Sequence, residues 1–332
     1  DCAFKRLRDI TRDAMEKWMN LAEEDGMGAR TRNTYRAAII AFCNWCVETD
    51  RMAANPLARL CRADEHADTR KQRRALTEDE LTRLFRTAHL RPLAEYGRQT
   101  IRIPKHQRVG RRTWYKEPLS PANLDVCVTR ARDILDVEPD LIDRLLWHGR
   151  ERALIYRVLA LTGLRKSELA SVTLAQLWLE EKHPFIELKA ADEKNARGSQ
   201  IPLRGDLAEE LRGFVTAKRR RMHRPAPAVT TKLFTIPSGL IGIFDRDIAA
   251  AGIDKYDDRG RSLDVHALRH TFGTHLSRAG VPPRVAQAAM RHSSLHLTMN
   301  IYTDPTLLDV AGAVNALPRF AAASVPSAQV GA

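Results

Sequence analysis

His266 and Arg269 stand three residues apart in the stretch Asp264-Val265-His266-Ala267-Leu268-Arg269-His270. On a helix that spacing puts both side chains on one face. Such a face offers an imidazole, which can move a proton near neutral pH, beside a guanidinium fork shaped for a phosphate. The surrounding pattern predicts the helix. Asp264 can cap its start, Val265, Leu268, Phe272 and Leu276 repeat at three-to-four spacing, and Gly280 ends it. An isolated His and Arg on a helix are more often a core histidine and a surface arginine.

Two other stretches raise the pair above that reading. Upstream lies Leu161-Thr-Gly-Leu-Arg165-Lys-Ser-Glu168-Leu169. Gly163 breaks a buried helix there, and Arg165 sits at the entry to the next one, where free backbone N–H groups suit an anion. Glu168, one turn on, either orients Arg165 or forms an ordinary Arg–Glu pair. Downstream lie Arg291-His292-Ser-Ser294-Leu295 and Asn300-Ile-Tyr302-Thr303, with ten steps from His292 to Tyr302. Together these residues strongly resemble the tyrosine recombinase (phage integrase) family.

A phosphodiester resists attack because its oxygens repel a nucleophile. A catalyst must neutralise those oxygens, activate a nucleophile and protonate the leaving oxygen. The resemblance implies how this set divides the work. Arg165 and Arg269 hold the non-bridging oxygens, His292 adds a hydrogen bond, His266 accepts a proton, and Tyr302 is the nucleophile. An unperturbed phenol is only about one part in a thousand ionised at pH 7, so Tyr302 needs a base or a cationic pocket. The family's β-hairpin carries a catalytic lysine eight residues before a Pro-Leu pair, which here is Lys194; Lys189 is the rival. The implied product is a 3′-phosphotyrosyl link and a free 5′-hydroxyl.

At 332 residues the chain is long enough for two domains, each with a core. A net charge of +13 favours a polyanionic partner, nucleic acid or an anionic membrane. No run of about 20 apolar residues offers a membrane span. The charged start (Lys5, Arg6, Arg8, Asp9) is unlike a signal peptide. Double-stranded DNA is therefore the expected partner and the cytoplasm the expected place. The chain begins at Asp1 without a Met, which reads as a fragment of something longer.

Five cysteines, Cys2, Cys43, Cys46, Cys61 and Cys127, are an odd count that fits reduced thiols. Cys43 and Cys46 have zinc or redox spacing but lie in an amphipathic run without a second pair, so they are expected to pack in a core. His266 with His270, and His292 with His296, are spaced as metal ligands could be, but no H-E-x-x-H string accompanies them. No metal or cofactor is expected; His270, His275 and His296 should pack or hydrogen-bond.

In chain order, helices are expected over 10–24 and 29–48, and a short one from Asn55-Pro56 through Leu60. Arg30, Arg32, Tyr35 and Arg36 form a cluster suited to phosphates or to a solvated face. That cluster and Asn55-Pro56-Leu57 also resemble the family's small helical core-binding domain, here 1–62. Residues 63–75, with Arg70, Lys71, Arg73 and Arg74, read as a basic linker that either tethers or lies along DNA. Thr77-Glu-Asp-Glu80 caps the start of the catalytic domain, 76–318, whose first helix runs to about His89. An insertion at about 91–149 departs from most relatives. It opens with a basic loop bearing Trp114 and Tyr115, then has helix-like segments near 121–135 and 139–148. A further helix spans Arg150 to Leu161.

Residues 185–189 and 200–203 alternate as paired strands, Leu233-Phe234 reads as a short buried strand, and helices are expected near 207–221, 240–251 and 283–290. A helix-spaced tail follows Asp304, and residues 319–332 read as disordered. The fold class expected is mostly α with a small β-hairpin or sheet (α+β). The resemblance implies two domains that clamp DNA, acting as a homo-tetramer on paired specific sites, through the C-terminal tail or with that tail folded back on its own domain. The expected activity is site-specific DNA recombination or integration. Its rivals are a type IB topoisomerase-like enzyme and a non-catalytic DNA-binding protein of the same fold.

Overall fold

Thr11 starts the first helix by accepting the Ala14 N–H on its hydroxyl at 3.2 Å, which satisfies one of the free donors of the first turn. The computed structural model describes residues 4–65, 67–68, 72–108, 110, 113–193, 197–222, 228–296 and 308–315. Helix α1 (Arg12–Glu24) buries Met15 and Met19. Helix α2 (Ala29–Glu48) sets Cys43 against them, with Ile10, Leu57 and Leu60 completing the core. Cys43 and Cys46 are fully buried, as their place on an amphipathic helix predicts.

Residues 56–59 form turns, not the short helix expected there. The Asn55 side chain accepts the Leu57 N–H at 2.8 Å and bends the chain locally. The segment expected to begin a linker is packed down. Asn33 exchanges two hydrogen bonds with the Ala63 backbone, both 2.9 Å. Asp68 accepts the Ala29 N–H at 2.6 Å, at the positive end of α2. These residues belong to a first compact unit, Asp1–Gln72.

The second unit is Arg73–Ala332. Thr77 and Glu80 form a reciprocal capping box at the start of α3 (Glu78–Ala94). This helix continues past His89 and through Pro92, because Arg91, Leu93 and Ala94 are buried against neighbours that outweigh the lost helical hydrogen bond. The basic stretch expected as a loop is a ribbon. Strands β1 (Thr100–Arg102) and β2 (Trp114–Lys116) pair antiparallel, with Ile101 opposite Tyr115. Helix α4 (Leu124–Ile134) follows.

Helix α5 (Pro139–Thr162) is continuous where two segments were expected. Gly149 lies at the apparent break. A Cβ there would sit 1.8 Å from the His89 carbonyl oxygen, so the glycine is where α3 crosses α5. Close packing offsets the roughly 1 kcal/mol that glycine costs inside a helix.

Helix α6 (Lys166–Ser171) leads into a three-stranded antiparallel sheet of β3 (Leu177–Trp178), β4 (Phe185–Leu188) and β5 (Ser199–Pro202), with Ile186 opposite Ile201. Then come α7 (Gly205–Arg221), α8 (Leu240–Ala250), α9 (Ala267–Arg278), α10 (Pro283–Met290) and α11 (Val310–Asn315). Leu233 and Phe234 are buried, but a single bridge between Thr173 and Lys232 replaces the strand expected there. One core joins α3, α5, α7, α8, α9 and the sheet through Leu84, Leu159, Phe214, Phe244, Ile186 and Leu268. The fold is mostly helical with small antiparallel sheets, as expected. No helix among the described residues is long and apolar enough to cross a membrane.

Asp247 on α8 is wholly buried and accepts from Arg91 Nε at 2.5 Å and from the Tyr156 hydroxyl at 2.8 Å. It therefore pins α3 and α5 to α8. Removing one partner of a buried pair leaves the other charge uncompensated. We predict that Asp247→Ala lowers unfolding stability by about 3–5 kcal/mol. Urea denaturation checks this, and an unchanged midpoint would refute the pin.

Candidate active site

Arg269 is the largest fully buried side chain among the described residues, 1% exposed. The helix that presents it begins where Asp264 accepts the Ala267 N–H at 2.9 Å, close to the capping read from the sequence. Arg73 grips the same carboxylate with contacts of 2.7–3.0 Å. The two terminal nitrogens of Arg269 donate to the Gly163 and Met290 carbonyls. Gly163 is the C-cap of α5, and Met290 is the last residue of α10. Helix ends leave carbonyls unsatisfied at a negative pole, so one guanidinium serves two helix C-termini at once.

This contact sets the geometry of the site. Gly163 has φ +62°, and a Cβ there would lie 2.5 Å from the Phe272 ring. The turn therefore sits directly on α9. Arg165 lies two residues beyond Gly163, and His292 lies two beyond Met290. Fixing the two carbonyls places both side chains beside His266, at the head of α9.

Arg165 donates to Glu168 through its side chain at 2.5 Å and its backbone N–H at 2.9 Å. The same carboxylate accepts from Arg291 Nη2 at 2.9 Å. Burial pushes the Glu168 carboxyl up, but the hydrogen bonds from Arg165 and the Arg291 charge together hold it below the usual range. Arg291 occupies the left-handed region at φ +54°, which is uncommon for a non-glycine residue. Its Nε lies 3.5 Å from Glu193, which also accepts from Ser199 at 2.8 Å. Glu193 immediately precedes Lys194. The ionic chain Arg165–Glu168–Arg291–Glu193 thus joins the β4–β5 turn to the other boxes. A cleft of about 590 Å³ opens beside it, lined by Glu193, Arg197, Ser199, Arg284, Arg291 and His292.

Burial, reinforced by Arg73 and Arg269, pushes the His266 imidazole down to about 4. Burial, reinforced by Arg269, Arg165 and Arg291, pushes His292 down to about 3. Both rings are therefore neutral at pH 7. A neutral imidazole can take up a proton, and a ring in a cationic field favours a neighbouring anion. An anion entering the cluster offsets that field and raises both values.

The structure brings Arg165, His266, Arg269 and His292 together. Lys194, Tyr302, Arg70 and Lys71 lie outside the described residues. Among the residues expected to meet DNA, Arg30 and Tyr35 are exposed. Arg32 is buried in a two-pronged pair with Glu23 at 2.6 and 2.7 Å. Arg36 donates to the Leu60 carbonyl, Arg73 holds Asp264, and Arg74 pairs with Glu80 at 2.8 Å. A cluster of cations in sequence does not reveal which have carboxylate partners in space. His270 is buried and His275 lies 3.0 Å from the Leu76 carbonyl, whereas His296 is exposed rather than packed. Arg291, quoted in the sequence only as part of its box, and Glu193 were given no role there. Adjacency to His292 and Lys194 was their only signal, because Arg291 and Glu168 are 123 residues apart.

The family model for the phage integrase family matches residues 139–307. The chain belongs to that family. A tyrosine recombinase of Pseudothermotoga lettingae is 30% identical over 163 residues, covering 48% of this chain and 53% of the relative. The tyrosine recombinase XerD of Bradyrhizobium diazoefficiens is 24% identical over 305 residues, covering 85% of this chain and 88% of the relative. The Pseudothermotoga match, like that to XerC of Pelotomaculum thermopropionicum at 50% of the relative, spans about half of the relative's length. Two solved structures share the fold. XerH recombinase bound to a palindromic difH substrate gives a TM-score of 0.58 at 16% identity, covering 94% of this chain and 72% of that one. A lambda integrase dimer on a core site gives 0.53 at 16%, covering 90% and 81%.

Two predictions arise from the site. Arg291→Ala leaves Glu168 and Glu193 with buried charge and should cost about 3 kcal/mol, read by chemical denaturation; a loss under 0.5 kcal/mol would count against the network. The second concerns pH. Both imidazoles titrate lower in the folded chain than the ordinary value near 6.5, so the unfolded state binds protons first. Stability should be full above pH 6.5 and fall as the pH drops toward 4 and then 3. His292→Asn should flatten that decline; an identical pH profile would show that His292 does not contribute to it.

Proposed function

We propose that this chain is a site-specific DNA recombinase that cuts and rejoins strands through a 3′-phosphotyrosyl intermediate. The single observation that carries the reading is the convergence of Arg165, His266, Arg269 and His292 in a cationic cluster whose two imidazoles stay neutral. Family membership through residues 139–307 supports it.

In this reading Arg165 and Arg269 neutralise the two non-bridging oxygens of the scissile phosphate, and His292 donates a hydrogen bond to it. The Tyr302 oxygen attacks phosphorus and passes its proton to His266. The bond from phosphorus to the 5′ oxygen breaks, and Lys194 protonates that oxygen. One phosphodiester is exchanged for another, so bond energy is kept in the link. Attack by a 5′-hydroxyl of a partner strand reverses the step and joins new strands. The first unit, with Arg30 and Tyr35 on its surface, is the DNA-binding half of a clamp. Four protomers act on paired sites, with the segment after Asp304 docking between them, and the protein works at DNA in the cytoplasm.

The test is covalent trapping on nicked suicide duplexes taken from DNA flanking the gene. The unmutated protein should give a slow-migrating adduct on a denaturing gel, and Tyr302→Phe should give none. Arg165→Ala should slow adduct formation by about 10²–10³. An adduct that persists in Tyr302→Phe overturns the assignment of the nucleophile. Relaxation of supercoiled plasmid without exchange of partners would favour a topoisomerase-like enzyme.

A further inference from the structure

The antiparallel ribbon formed by β1 and β2 has no role in the chemistry above. Its sequence, Arg98 to Lys116, holds seven lysines and arginines and no acid. Arg102, Lys105, Trp114, Tyr115 and Lys116 are all exposed. The Arg102 guanidinium lies 5.6 Å over the Trp114 ring, so the exposed face combines aromatic surface with charge.

An isolated two-stranded ribbon is marginal in water. Here the base is clamped to the protein. Arg98 donates to the Glu117 and Lys116 carbonyls at 2.5 and 2.9 Å, and Arg130 on α4 donates to the Gly97 carbonyl at 2.7 Å. The ladder extends beyond the strands through Ile103 to Thr113 and Glu117 to Gln99, both 2.8 Å. Backbone bonds and two arginines thus hold a ribbon on which Arg102, Lys105, Lys116 and the Trp114 and Tyr115 rings face solvent. Self-repulsion among like charges opposes that arrangement unless an anionic partner offsets it.

We propose that the 98–116 ribbon is an auxiliary DNA-contacting element that engages double-stranded DNA, its cations on phosphates and the face that carries Trp114 and Arg102 against the duplex. A two-stranded ribbon is one of the two protein shapes that the major groove admits. Seven cations without an acid match a polyphosphate and no neutral partner. The inference rests on the reading that the protein works on DNA, but it requires neither the nucleophile nor a particular site.

The experiment measures binding of a fluorescent 30-bp duplex of random sequence across 50–200 mM salt. It compares the full chain with a triple variant, Arg102→Gln, Lys105→Gln and Lys116→Gln, and with a double variant, Trp114→Ala and Tyr115→Ala. All five side chains are exposed, and the two arginines that hold the base, Arg98 and Arg130, are left in place. Each cation withdrawn from a phosphate should make the slope of log affinity on log salt shallower by about 0.9, so the triple variant's slope should be shallower by about 2–3. Its affinity at 100 mM salt should fall at least tenfold. The double variant should weaken binding while keeping the slope. A triple variant that matches the unmutated protein in slope and affinity overturns the proposal, as does absence of binding by all three proteins. Failure of the two readings is distinguishable. Covalent adduct with an unchanged salt slope removes only the ribbon, and a ribbon-dependent slope without adduct removes only the recombinase.

Discussion

A buried positive charge needs compensation wherever the chain places it. Arg269 obtains part of it from the carbonyls of Gly163 and Met290, at the C-terminal ends of α5 and α10. Two distant helix ends are thereby held on a third helix. Helix termini carry unsatisfied carbonyls that water usually serves, and the guanidinium serves them in the interior. Arg165 and His292 follow those carbonyls by two residues each, so their positions derive from this one contact. Gly163 makes the approach possible, because a side chain there would collide with Phe272.

The second layer of organisation is ionic. Glu168 receives Arg165 and Arg291, and Arg291 reaches on to Glu193 in the β4–β5 turn. Buried pairs of this kind are weak sources of net stability, because desolvation opposes attraction. Their effect is geometric: each carboxylate fixes where a guanidinium points. Arg291 adopts a backbone conformation uncommon for its type, and its two carboxylate partners hold it there. Burial, reinforced by Arg269 and Arg165, depresses both imidazoles, so the arrangement that positions His266 and His292 also sets their proton state at neutral pH.

The stretch 91–149 serves two ends. Its helices build a small core of their own, with Leu93, Ala131 and Leu135 buried together, and α5 runs through its boundary without a break. Its ribbon projects charge instead of burying apolar surface. The cations also divide by role. Arg32, Arg73, Arg74 and Arg91 are spent on carboxylates inside the protein, while Arg30, Arg102 and Lys105 lie at the surface. The net charge of +13 is therefore no measure of how many cations can face a polyanion.

Much of the fold was legible in local pattern. Three-to-four spacing located α1, α2, α7 and α9, and Thr77 with Glu80 marked the start of α3, since amphipathicity and caps are properties of neighbouring residues. The reading of Cys43 and Cys46 as core followed from the same periodicity. The pattern failed where a neighbour distant in sequence decided the outcome: Gly149 read as a break until α3 was laid across it, and the stretch around Trp114 read as a loop until its strands paired. By itself the sequence determined which residue types lie in the Arg165, His266–Arg269 and His292 boxes, and so the class of chemistry they can support. Only the tertiary structure decided which arginines pair with carboxylates inside the protein, that one guanidinium joins two helix ends, and that Arg291 and Glu193 bind the boxes together. Charge pairing and carbonyl capping act through space across more than a hundred residues, and no local spacing encodes them.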